Sequence, residues 1–114
     1  MSIALTTAQT LTLWHGVALA LVKDGEPDLS VRQLSLLLTI YLEAPPHTVR
    51  GLAAKLGVTK PVITRALDSM GKLGLVSRRR DEKDKRNVLV QRTVKGALYL
   101  ERLADTIGNI AAKL

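Results

Sequence analysis

The stretch TVRGLAAKLGVTKPVITRALDSMGKLGLVSRRRDEKDKRNVLVQRTVKG, residues 48–96, decides the fold. Within it Val49, Leu52, Ala53 and Leu56 recur at helical spacing and stop at Gly57. Glycine takes the left-handed conformation that ends a helix without a Cβ penalty. Thr48 stands where this helix needs a cap, and Val58 plugs the turn. Thr59 caps the next helix, with Pro61 in its first turn, where a missing N–H costs nothing. Ile63, Ala66, Leu67, Met70 and Leu73 form its inward face and leave Lys60, Pro61, Thr64, Arg65 and Asp68 outside. Gly74 ends it, and residues 75–79 and 88–92 read as two short strands bridged by a charged loop. Helix, three-residue turn, helix and basic hairpin is the order of a winged helix-turn-helix. Such a unit places one helix in the major groove of duplex DNA while the hairpin reaches along the backbone.

The flanks are helical. A first helix over residues 7–23, closed by Asp24-Gly25, carries Leu11, Trp14, Val17, Ala18, Leu21 and Val22 on one face. Leu13, Leu19 and Ala20 extend that apolar surface nearly all round, more than one side of a small core needs. Ser30 is the expected N-cap of a second helix through Glu43, ended by Ala44-Pro45-Pro46. Thr93 caps a last helix in which Ala97, Leu100, Ala104, Ile107, Ala111 and Leu114 recur at alternating spacings of three and four. That is a heptad-like seam, widened by Leu103 and Ile110 and suited to a second helix. The fold class expected is mainly α with a small β-hairpin, a winged helix-turn-helix with N- and C-terminal dimerisation helices. The whole chain, 1–114, reads as one domain, with 1–25 and 94–114 as the dimerisation helices and 48–93 as the DNA-binding core and wing. Leu11, Trp14, Leu100, Leu103, Ile107, Ile110 and Leu114 are the expected dimerisation residues, because a monomer exposing them would be poorly soluble.

Charge separates the chain in the same way. The formal net charge is +7, yet residues 50–95 alone hold thirteen Lys or Arg against four acids, a local net of +9, and the remainder nets −2. Positive charge gathered on the helix-turn-helix and hairpin is expected of a surface that faces phosphate. A membrane-binding patch would interleave large apolar residues with its cations, and the hairpin tip, residues 78–87, has none. The apolar run 11–22 is too short to span a bilayer, and no basic residue precedes Lys23, so neither a membrane span nor a signal peptide is expected. The expected setting is the bacterial cytoplasm, in association with the nucleoid.

An enzyme is not expected. The two histidines, His15 and His47, lie in no metal-ligand spacing, and there is no Gly-rich phosphate loop or nucleophile motif. No metal and no cofactor is expected, and without cysteine there is no disulfide, thiolate metal site or thiol sensor. The candidate contacts are those of DNA. Thr48, Thr59, Lys60 and Thr64 offer hydroxyl and ammonium groups, and Pro61 offers an apolar edge to a thymine methyl. Arg65 can fork onto guanine or clamp a phosphate. In the loop, Arg78, Arg80, Lys83, Lys85 and Arg86 supply charge, while the three acids brace neighbouring arginines and hold a guanidinium toward a narrow minor groove.

Residues 48–96, and within them "LGVTKPVITRALD", the "GLV" entry to the hairpin and a "DEKDKR" wing that ends in T-x-x-G, resemble the core of MarR-type winged-helix transcriptional regulators. The resemblance implies that Arg86 probes the minor groove and that Asp84 orients a nearby arginine. It further implies a homodimer with intertwined terminal helices on a pseudo-palindromic double-stranded DNA site. A small-molecule effector beside the dimer interface is a possibility the family carries, whereas cysteine-based oxidant sensing is excluded by composition. A single C-terminal helix is expected where family members often have two. Two other readings keep the winged helix: a sequence-indifferent chromosome-organising protein, and a protein–protein interaction module.

Overall fold

A computed structural model describes residues 4–24 and 27–114. Its order is α1 (Thr7–Asp24), α2 (Val31–Leu42), β1 (His47–Thr48), α3 (Val49–Leu56), α4 (Lys60–Lys72), β2 (Val76–Arg80), β3 (Val88–Arg92) and α5 (Val94–Ala112). The expected stop at Gly25 lies outside the described residues.

Local chemistry sets the helix ends. Ser30 accepts the Gln33 N–H at 3.1 Å while the Gln33 side chain accepts the Ser30 N–H at 2.8 Å, a reciprocal capping box that opens α2. Thr6 and Gln9 make the same exchange at the start of α1, at 3.1 and 3.0 Å. Thr48 Oγ1 accepts the Gly51 N–H at 2.9 Å and caps α3. Gly57, at φ 68°, closes α3 as expected. Gly74 has φ 76°, and the following Leu75 N–H returns to the Met70 carbonyl at 3.0 Å, closing α4. Thr59 is the N-cap residue of α4, but its side chain makes no cap hydrogen bond, so the expected capping role is confined to the backbone. Ser30→Ala is expected to cost about 1 kcal/mol, read as a lowered urea midpoint. An unchanged midpoint would mean that packing alone holds the start of α2.

The sheet is antiparallel with order β1-β3-β2. Val76 pairs with Arg92 and Arg80 with Val88, so the hairpin register places the charged loop at its tip. The first hairpin strand starts one residue later than expected, at Val76. The third strand, β1, was not anticipated; His47 pairs with Val90 and Thr48 with Leu89.

The chain forms two compact units whose boundary falls within α5: residues 1–28 with 101–114, and residues 29–100. In the larger unit Leu36, Leu37, Ile40, Leu52, Ile63, Leu67, Met70 and Leu75 are fully buried. They come from α2, α3, α4 and the entry to the hairpin, so the helix-turn-helix and the wing share one core. Four of the five residues expected inside α4 are buried. Leu73 is the exception: it is the C-cap residue, where the helix has ended and the face no longer points inward, and it is 36% exposed.

In the smaller unit Val17 and Leu103 are buried. Ile110 packs so closely on Gly16 that an added Cβ would lie 2.9 Å from its Cγ2 atom. Part of the C-terminal seam is therefore spent on α1 of the same chain. Leu100 belongs to the larger unit and packs against its core. The other side chains expected at a dimer interface remain outside: Leu11 and Trp14 are exposed, and Ile107 and Leu114 are so in lesser degree.

Candidate nucleic-acid interface

The apolar face of α4 is anchored by Ile63, Ala66, Leu67 and Met70, which fixes what its opposite face presents. Thr59, Lys60, Pro61, Thr64, Arg65 and Asp68 are all exposed there. The Thr59 hydroxyl, unused as a cap, is available beside the first N–H groups of the helix. Thr48 is different. It is half-buried and its oxygen is committed to α3, so it supports the neighbouring helix more than it offers an open contact.

The wing is held in shape by its own polar groups. Asp81 Oδ1 accepts the Lys83 N–H at 3.0 Å, and Asp84 Oδ1 accepts the Arg86 N–H at 3.1 Å, two successive side-chain turns. The Asp81 N–H bonds to the Asn87 carbonyl at 3.0 Å, and Arg80 Nη1 donates to the Lys85 carbonyl at 3.0 Å. The arginine that Asp84 holds is Arg86 itself, through Nε at 3.1 Å and Nη2 at 3.3 Å. The Arg86 side chain is nevertheless 85% exposed, a charged group aimed from a fixed base. Of the three loop acids, Asp84 alone pairs with an arginine; Asp81 serves the backbone, which corrects the expectation that all three brace guanidinium groups. Lys83 and Lys85 are exposed at the tip.

The Arg86 side chain, then the Arg86 backbone N–H, hold the Asp84 carboxyl below the ordinary aspartate value, with a smaller contribution from the charge of Arg50. A depressed folded value means the pairing contributes above the unfolded value and is lost as pH falls through the folded one. An NMR titration is expected to find Asp84 ionising below the usual carboxylate range, and higher in Arg86→Gln. An Asp84 titration unaffected by that substitution would contradict the pairing.

A second ion pair ties the two elements together. Arg78 Nη2 on β2 lies 2.6 Å from Asp68 Oδ1 on α4. The pair makes Arg78 a brace between α4 and the wing more than a free cation. Two further cations outside the expected contacts stand near these elements. Arg50 on α3 acts electrostatically on the wing carboxylate. Arg32 on α2 lines the same cleft as Arg65. Arg32 lies outside the basic window, so only the fold could bring it to Arg65.

No cluster of three or more His, Cys, Asp or Glu that could hold a metal ion occurs among the described residues. Among them, too, no helix is long and apolar enough to cross a membrane.

Two helices joined by a tight turn, one shared core and a braced cationic hairpin define a winged helix-turn-helix. A model of the MarR family matches residues 29–88, more than half of the chain, and the chain belongs to that family. It is similar to the organic hydroperoxide resistance transcriptional regulator of Bacillus subtilis (strain 168), 35% identical over 75 residues, or 66% of this chain and 51% of that protein. The chain thus spans about half the length of the curated relative it matches. Among solved structures it is similar to a MarR cysteine-to-serine mutant from E. coli complexed with operator DNA. There the TM-score is 0.69 and the identity 26%, covering 93% of this chain and 70% of the other. It also shares the fold of MepR from S. aureus, solved as a DNA complex, with TM-score 0.77, 18% identity, and coverage of 90% and 82%.

Proposed function

We propose that the chain is a sequence-specific regulator of transcription that binds double-stranded DNA as a homodimer on a pseudo-palindromic site, with α4 in the major groove and the wing in the minor groove. The observation that carries the reading is the placement of charge. Lys60 and Arg65 on α4 and the Asp84-held Arg86 on the wing stand on elements anchored in one core. Two family relatives with this fold, from E. coli and S. aureus, are solved on DNA. Regulators of this family are transcription factors and not enzymes, and the role places the chain with the chromosome in the bacterial cytoplasm.

Dimerisation is supported by the smaller unit, whose helices expose Leu11, Trp14, Leu19 and Val22 of α1 and Ile107 of α5. In this reading, 48–93 is the DNA-binding part, and 1–25 with 94–114 the dimerising part. The Bacillus relative is named for organic hydroperoxide resistance. With no cysteine this chain offers a peroxide no thiolate, so that role is not carried over. A small-molecule effector would have to act by differential binding to two conformations of the dimer.

Fluorescence anisotropy with labelled duplexes tests the reading. Binding is expected to fall steeply with salt and to prefer a particular sequence. Arg86→Ala should weaken binding by about tenfold where the wing meets A·T pairs, and less where G·C replaces them. Equal affinity for every sequence would point to chromosome organisation, and no binding to protein–protein contact.

A further inference from the structure

Arg65 does not stand alone on the exposed face of α4. It lines an open cleft of about 240 Å³ between the first turn of α2 and the middle of α4, together with Ser30, Arg32, Gln33, Val62 and Ser69. No acid lines this cleft, and the first turn of α2 has none either. Neither guanidinium has an ion-pair partner among the described residues. Two cations that share a cleft without a counter-ion repel each other, and an anion between them reverses the sign of that interaction. The positive end of the α2 dipole adds in the same direction, although its cap already occupies the Gln33 N–H.

At about 100° per residue, Pro61, Arg65 and Asp68 lie near the middle of the face opposite the buried residues of α4, with Ser69 on the side of the cleft and Lys60 and Thr64 on the other side.

We propose that Arg32 and Arg65 form a two-arginine clamp for one backbone phosphodiester flanking the major groove, so that Arg65 positions α4 and reads no base. Sequence discrimination by α4 then falls to Lys60, Pro61 and Thr64. The inference rests on the DNA-binding reading and assigns a role that reading left open.

The test compares the parent with Arg32→Gln, Arg65→Gln and the double variant on a duplex selected by the parent and on a scrambled duplex, over a range of salt. Both side chains are exposed, and unchanged thermal midpoints establish that the variants are folded. Each single substitution is expected to weaken binding about tenfold on both duplexes and to flatten the salt dependence by about one ion. The double variant should lose less than the product of the two, because both act on one phosphate. A neutral methylphosphonate placed along the selected duplex should reproduce the loss at one position in the parent and have no further effect there in the double variant.

A loss confined to the selected duplex in Arg65→Gln would make Arg65 a base reader and overturn the clamp. So would an Arg32→Gln variant that binds like the parent. A parent that binds no duplex overturns the DNA reading itself, and the clamp with it. Inorganic phosphate supplies the remaining arm, followed by the amide shifts of Gln33 and Ser69. Saturable binding there, with DNA affinity untouched by either substitution, would assign the cleft to a free anion and overturn the backbone contact.

Discussion

Gly96→Ala is expected to destabilise the fold by about 3 kcal/mol, a large share of the stability of a small protein. A Cβ at Gly96 would collide with the Leu75 carbonyl and the Tyr41 hydroxyl. Neither can swing aside freely. The first is backbone, and the second accepts the Thr93 N–H at 2.8 Å while donating to the Thr93 carbonyl at 2.5 Å. Thr93 in turn donates its hydroxyl to the Gly74 carbonyl at 2.7 Å and accepts the Gly96 N–H at 3.0 Å, which caps α5. Arg92 adds a hydrogen bond to the Ile40 carbonyl at 2.9 Å, with its guanidinium 5.7 Å from the Tyr41 ring centre. The node therefore joins the end of α2, the turn after α4, the last residue of the wing and the start of α5. Alanine would push Tyr41 out and leave the part-buried Thr93 N–H unpaired, while the Thr93 carbonyl keeps the Ala97 N–H at 3.1 Å. Tyr41→Phe, which removes the hydroxyl without adding bulk, should cost only about 1 kcal/mol. Urea denaturation reads both. A Gly96→Ala midpoint equal to the parent's would show that the close approach relaxes without cost.

Trp14→Asp is expected to turn a dimer into monomers and to reduce operator affinity by about 10²-fold or more, since two linked half-site contacts become one. Trp14 is 64% exposed, Leu11 63% and Val22 74%, far more apolar surface than a small soluble unit usually leaves to water. An aspartate at that exposed position has no reason to disturb the unit internally, but it would place an unpaired charge in an interface. Sedimentation velocity separates the outcomes. A variant that stays dimeric would move the interface away from α1, and a monomeric parent would remove the homodimer from the account.

The features readable in the sequence were those decided by neighbouring residues. Gly57, Thr48, Ser30 and Pro61 each act within one turn, so the ends of α2, α3 and α4 were visible from spacing alone. The inward face of α4 failed only at Leu73, where periodicity was carried one residue beyond Lys72, the last residue of the helix. What escaped depends on partners distant in sequence. β1 is two residues long and exists because β3 offers an edge to pair with. Asp68 and Arg78 look like independent surface charges until the hairpin folds beside α4. Arg32 gains meaning only when α2 lies against α4.

The seam of α5 shows the same limit. A heptad pattern demands a helix to pack on without saying whose. Leu103 is buried and Ile110 packs on Gly16 of the same chain, while Ile107 remains partly exposed.

The most direct measurement is selection of bound duplexes from a random library at physiological salt, followed by sequencing. Two inverted half-sites with centres about 10 base pairs apart are expected, the spacing that two recognition helices related by a twofold axis would read on one face of DNA. Strong retention without an enriched motif, or no retention at all, would contradict a dimeric, sequence-specific regulator.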